Sequence, residues 1–190
     1  MEETTKNLQL IEEMISSAKG NIKEGSVFYL IWGWLVLIAA TSNYNLLKFE
    51  LYEHHWIAWP ILMTLGGILT GVIGYRKGRT QQVKTYPERA MKHLWIAFLV
   101  TLFSVLFGMG KIGLEASYPI IMLLYGLGTF VSGGILKFNP LRKGGVVAWI
   151  CGTIAFHVEF TDQLILIMIA IVASYIIPGH LLANSKEQYV

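Results

Sequence analysis

The chain is short of charge, of cysteine and of proline. Only 14% of its 190 residues are Asp, Glu, Lys or Arg, whereas a soluble domain carries about a quarter. Its single cysteine, Cys151, excludes an intramolecular disulfide and leaves the redox compartment open. Five prolines interrupt the long apolar runs only rarely. No HExxH pair, Walker loop or GxSxG elbow occurs, so the zinc-protease, phosphate-loop and serine-hydrolase readings lose their usual motifs. The middles of the apolar runs also lack ionisable residues. That argues against a pump working through a buried carboxylate, since such groups mark proton and ion paths. An enzyme is the weaker reading.

What the chain has in quantity is apolar length. Hydrophobic residues make up 54% of it, and runs near 20 residues recur, about the length that crosses a hydrocarbon core of roughly 30 Å. Six spans are expected, at 27–47, 57–75, 94–110, 118–136, 145–160 and 164–182, the fifth being the shortest. The runs are solidly apolar, without the alternation of a barrel strand. The predicted fold is all-α: a polytopic membrane helix bundle, six transmembrane helices arranged as three hairpins and preceded by an amphipathic cytoplasmic helix. This divides the chain into an N-terminal helix at 1–25, a transmembrane domain at 26–183 and a short tail at 184–190. The first apolar run starts too late and runs too long for a cleavable signal.

Basic residues set the expected orientation. Thirteen (Lys6, Lys19, Lys23, Arg76, Lys77, Arg79, Lys84, Arg89, Lys92, Lys137, Arg142, Lys143 and Lys186) fall at the termini and even connections, while Lys48 and Lys111 alone fall on the other side. The positive-inside rule then puts both termini in the cytoplasm. Topology accounts for the basic residues, so no nucleic-acid partner is expected; the bilayer is the first partner. In the N-terminal segment Leu8, Ile11, Ile15 and Ile22 recur at helical spacing. They form a stripe that would rest on the bundle or contact a protein partner or second copy. Gly20 and Gly25 are expected to weaken this helix, and the connection 76–92 is long enough to meet a soluble partner.

A faint repeat runs through the chain. WPILMTLGG at 59–67 aligns with YPIIMLLYG at 118–126, and Met168 and Gly179 continue the register. Glycines crowd the second and fourth spans, with Gly67 and Gly71, and Gly128 and Ser132, as small-xxx-small pairs that favour close helix packing. Pro178 is expected to kink or end the sixth span. Tyr44, Trp56, Trp59 and Tyr118 at one face, and Tyr29, Tyr75, Trp95 and Trp149 at the other, read as interfacial belts.

Chemistry-bearing residues are few. The stretch YEHHW (52–56) places two histidines and a glutamate between the first two spans, and FHVEFTD supplies His157, Glu159 and Asp162. Histidine with carboxylates suits zinc or a similar divalent metal, provided three or four converge. The candidate ligands are His54, His55, His157, Glu159 and Asp162. Adjacent histidines diverge by about 100° on a helix, a poor geometry for sharing one ion. A proton-responsive role and a simple solvated loop are the other readings. A solute path would be lined by the hydroxyls of Thr64, Thr101, Ser104, Tyr125, Thr129, Ser132 and Thr153.

The stretches LIEEMISSAKGNIKEGSVFYLIWGWLVLIAA and YPIIMLLYGLGTFVSGGILKF resemble small uncharacterised six-span inner-membrane proteins of Bacteroidetes-type bacteria. The resemblance implies a bacterial inner-membrane location and brings no activity. The leading expectation is a non-enzymatic accessory, scaffold or sensor protein. A small-solute or ion transporter is the alternative, and a metal-dependent membrane enzyme using the His/Glu cluster comes third.

Overall fold

The computed structural model describes residues 2–49, 53–80 and 86–184, with side chains described from residue 25 onward except at 77–80. The side chains of the Leu8, Ile11, Ile15 and Ile22 stripe and the tail beyond 184 lie outside these. Among the described residues every regular element is helical: α1 (Glu2–Lys48), α2 (Ala58–Thr80), α3 (Tyr86–Ile112), α4 (Leu114–Ile135), α5 (Asn139–Ala155), α6 (Phe160–Ile171), a π-helical turn (Val172–Ile176) and α7 (Ile177–Ala183). Five stretches are long and apolar enough to cross a membrane: Gly25–Lys48, Ala58–Arg76, Tyr86–Ile112, Leu114–Ile135 and Phe160–Ala183. By length and composition this is a multi-pass membrane protein. α5, with 17 residues, spans only about 26 Å at 1.5 Å per residue.

Several expected boundaries shift. α1 runs unbroken through Gly20 and Gly25 for 47 residues, so the N-terminal segment and the first apolar run share one helix. A glycine costs a helix interior about 1 kcal/mol relative to alanine, too little to end one this long. The connection 76–92 is also largely helix, because α2 continues to Thr80 and α3 begins at Tyr86. α4 starts at Leu114, which puts Pro119 inside the helix rather than at its start.

The core lies where α1, α4, α5 and α6 meet. Val36, Met122, Leu141, Leu164, Ile167 and Ile171 are almost wholly buried there. α4 and α5 make the most intimate contact, through glycine. A Cβ at Gly126 would stand 2.9 Å from the Gly145 carbonyl oxygen, and one at Gly145 would stand 2.8 Å from that of Gly126. On the far side of α5, a Cβ at Gly144 would strike the Ala173 carbonyl and stand 2.7 Å from Ser174 Cα. These residues are glycine because two backbones occupy the space.

The π turn follows from Pro178. A proline has no N–H, so the Ser174 carbonyl four residues earlier loses its α-helical donor. The chain absorbs one extra residue instead, with Ile177 N–H bonding the Val172 carbonyl five residues back. The expected kink is thus a widened turn in a helix that continues to Ala183.

α2 and α3 stand apart from this core. α2 packs on α1 and α3 on α4, and among the described residues the two do not contact one another. Each buries a single described residue, Gly66 and Phe98.

Candidate functional site at the histidine end

The 53–57 turn joins α1 to α2 and marks one end of the bundle, here the histidine end; the ends of α2 and α3 nearest the 81–85 connection form the basic end. Beneath that turn Asn43 is fully buried on α1, although an uncompensated amide in an apolar interior costs several kcal/mol. Its partners explain how it is kept. In one orientation of the amide, Nδ2 donates to the Tyr118 hydroxyl over 3.4 Å while Oδ1 stands 2.8 Å from His55 Nδ1. In the reverse orientation Oδ1 accepts the Trp59 indole N–H at 2.9 Å, and Nδ2 donates to His55 Nδ1 at 2.8 Å and to the His55 carbonyl at 3.3 Å.

The indole decides between them. Its N–H can only donate, so the atom 2.9 Å away must be the amide oxygen. The amide nitrogen then faces His55, whose Nδ1 must accept and therefore carries no proton. One amide thus ties α1, the 53–57 turn and α2 together in a chain with a single consistent assignment of hydrogens. Trp59 also packs edge-on against Tyr118 of α4 with ring centroids 5.8 Å apart, and Tyr118 packs edge-on against Phe160 at 5.0 Å.

A second buried amide lies nearby. Gln163 of α6 is 1% exposed, and its Nε2 donates to the carbonyls of Glu115 (3.0 Å), Ala155 (2.9 Å) and Val158 (3.4 Å). The Glu115 carbonyl is the one that Pro119, four residues on, cannot serve. Ala155 is the last residue of α5, where carbonyls lack helical donors. Gln163 therefore supplies from a third helix what a proline and a helix end leave missing.

The expected ligands are arranged differently. His54, Glu159, His157 and Asp162 are exposed while His55 is half-buried against Asn43. Among the described residues no three His, Cys, Asp or Glu side chains stand together to hold an ion; Glu50 lies outside them. The His54 ring packs against Trp56 at 5.9 Å. Within YEHHW, it is His55 that a hydrogen bond to Asn43 builds into the fold.

The proposed lining hydroxyls also divide. Thr64, Thr101, Ser104 and Thr153 are exposed, and Thr101, Ser104 and Thr153 bond the carbonyl four residues back, at Ala97, Val100 and Trp149. Such bonds satisfy a hydroxyl on a lipid-facing surface. Tyr125, Thr129 and Ser132 are buried in α4. They lie in an aromatic cluster in which Tyr175 meets Tyr29 at 5.6 Å, Tyr125 at 5.5 Å and Trp95 at 6.5 Å. Thr129 bonds the Tyr125 carbonyl, whereas among the described residues the hydroxyls of Tyr29, Tyr175 and Ser132 make no well-formed hydrogen bond, Tyr29 facing Ser132 and Tyr175 facing Thr129. Tyr29 and Tyr118 are therefore core residues rather than belt residues. Trp149 is a wedge as well, its indole N–H donating to the Leu123 carbonyl at 3.1 Å.

Asn43 and Gln163 are the residues that pattern reading missed. Their signal was present: amides adjoining apolar runs, in ATSNYNLL and FTDQLILI. The chain matches no known family, no curated protein and no solved structure, so its function is read from geometry alone.

Proposed function

We propose that this is an integral protein of the bacterial inner membrane, crossing six times as three hairpins with both termini in the cytoplasm, and that it acts as a non-enzymatic sensor or accessory protein rather than a catalyst. The observation that carries the reading is the Asn43–His55–Trp59 chain. The shortest link in that chain, from Asn43 Nδ2 to His55 Nδ1, lasts only while that ring nitrogen is free to accept. Protonation converts that nitrogen into a donor facing an amide donor. Turning the amide over would restore the His55 bond but set a second donor against the Trp59 N–H. Acid on that side therefore breaks one link whichever way the amide turns, and histidine is the side chain whose charge changes near neutral pH.

The other ionisable groups at this end are Glu53 and His54 in the same turn, Tyr44 and Lys48 on α1, Lys111 on α3, Glu115 and Tyr118 on α4, His157 and Glu159 before α6, and Asp162 on α6; α2 supplies none at this end. Lys48 Nζ already donates to the Tyr44 hydroxyl at 2.7 Å. The test is the Trp59 indole N–H resonance in 15N-labelled full-length protein, assigned by Trp59→Phe. It should shift and broaden when the solution is acidified, and in His55→Ala it should not respond. A Trp59 resonance that ignores pH in the parent, or responds equally in His55→Ala, sinks the reading.

A small-solute or ion carrier is the alternative. Its one supporting observation is the set of buried, poorly hydrogen-bonded hydroxyls of Tyr29, Ser132 and Tyr175 around the π turn, since π turns gather at functional sites. Swelling of proteoliposomes in small polar solutes, lost in Tyr29→Phe/Tyr175→Phe, would favour it.

A further inference from the structure

α2 and α3 follow one another in the chain, yet they are not packed together. Side chains nevertheless place both against the same core. Trp59 of α2 meets Tyr118 of α4 at 5.8 Å, and Trp95 of α3 meets Tyr29 of α1 at 6.1 Å. The two helices thus border a furrow, and their outer surfaces are apolar: Ile61, Leu65, Ile68 and Val72 on α2, Val100 and Phe103 on α3 are among the exposed residues.

The basic end of this furrow carries cations. Arg76 on α2 and Arg89, Lys92 and His93 on α3 are exposed, and His93 Nδ1 donates to the Arg89 carbonyl at 2.7 Å. The segment 76–92 holds six Lys and Arg (Arg76, Lys77, Arg79, Lys84, Arg89, Lys92) against one acid, Glu88. Exposed Tyr75 and Tyr86 flank these cations, as aromatics do at headgroup level.

We propose that the α2–α3 furrow is a binding site for an anionic phospholipid. One acyl chain lies between the two helices, and the phosphodiester sits against Arg76, Arg89 and Lys92. Basic openings between membrane helices on the cytoplasmic side suit such headgroups. A second copy is the poorer occupant, because it would bring two like-charged basic rims together. Topology alone does not account for the pairing of charge with a gap. Lys137, Arg142 and Lys143 form another basic group, but there α4 and α5 close on each other, a Cβ at Gly133 standing 2.7 Å from the Arg142 nitrogen.

The inference rests on the membrane-spanning reading but not on His55. The test is native mass spectrometry of the full-length protein in detergent, titrated with phosphatidylglycerol or with phosphatidylcholine of the same chains. One phosphatidylglycerol should be retained at least tenfold more tightly. Arg89→Gln/Lys92→Gln, and separately Arg76→Gln on the other wall, should reduce that preference, the double variant to near parity. Lys137→Gln/Lys143→Gln should leave it intact. Equal retention of the two lipids overturns the proposal. So does equal loss in the control variant, which would reveal only a general basic belt, or a lipid-free dimer in place of the lipid complex. Flotation of the same protein with liposomes separates the two readings: a chain that fails to insert refutes the membrane reading, and one that inserts without preference refutes the site.

Discussion

At Gly126, Gly133, Gly144, Gly145 and Gly152 an added methyl would meet a neighbour within about 3 Å, while at Gly67, Gly71 and Gly74 of α2 and Gly108 and Gly110 of α3 it would meet nothing within 4 Å. The same residue type serves two situations in one bundle. Between α4, α5 and the π turn, glycine lets backbones touch, and the packing energy depends on that closeness. On α2 and α3 it leaves grooves in an outward surface. A small-xxx-small pair in a sequence therefore reports the capacity for close approach, not its use: Gly67 and Gly71 have the spacing and no partner here.

Substitutions can break that contrast. The largest effect should come from Gly144→Ala, whose methyl would collide with the backbone of Ala173 and Ser174. A loss of about 3 kcal/mol or more is expected, because neither backbone can yield like a side chain, and thermal unfolding in detergent would measure it. Next comes Gln163→Leu, which strips donors from carbonyls of α4 and the α5 end at about 1–3 kcal/mol. Pro119→Ala should recover part of that loss, since alanine restores the N–H that the Glu115 carbonyl lacks. If Pro119→Ala and Gln163→Leu simply add in a double-mutant cycle, Gln163 does not stand in for that missing donor.

Smaller effects sharpen the comparison from the other side. Gly71→Ala should raise stability by about 1 kcal/mol, the helix-propensity difference with no steric cost. A loss instead would mean that the open face of α2 is covered. Tyr29→Phe and Tyr175→Phe remove hydroxyls that make no well-formed hydrogen bond, so each should change stability by less than about 0.5 kcal/mol or raise it slightly. A clear loss would show that those hydroxyls hold a polar guest, and the carrier reading would gain.

Apolar run length was enough to find the helices, because crossing a bilayer demands a minimum of hydrophobic residues whatever their neighbours. It could not show that α2 and α3 are peripheral. α2 and α4 carry similar glycine-rich apolar sequences, and only tertiary contact separates them. The aromatic belt was misread for a related reason: position along an apolar run does not say which way a ring faces, and Tyr29, Tyr118 and Trp149 turn inward. Pro119 was visible, but not the fact that α4 begins five residues before it, and so neither was its need for Gln163. At the histidine end, residue types drew attention to His54, His55, His157, Glu159 and Asp162. The hydrogen bonds put His55 with Asn43, a residue with no titration or metal chemistry to announce it.

The unbroken α1 gives that local chemistry reach. Asn43 lies near one end of a 47-residue rod about 70 Å long, more than twice the thickness of a hydrocarbon core. A helix transmits tilt as a lever: pivoted near its histidine end, a rotation of only about 5° would carry the other tip some 6 Å sideways over that length. The release of one amide could therefore be read as movement far from the membrane face where the proton arrived.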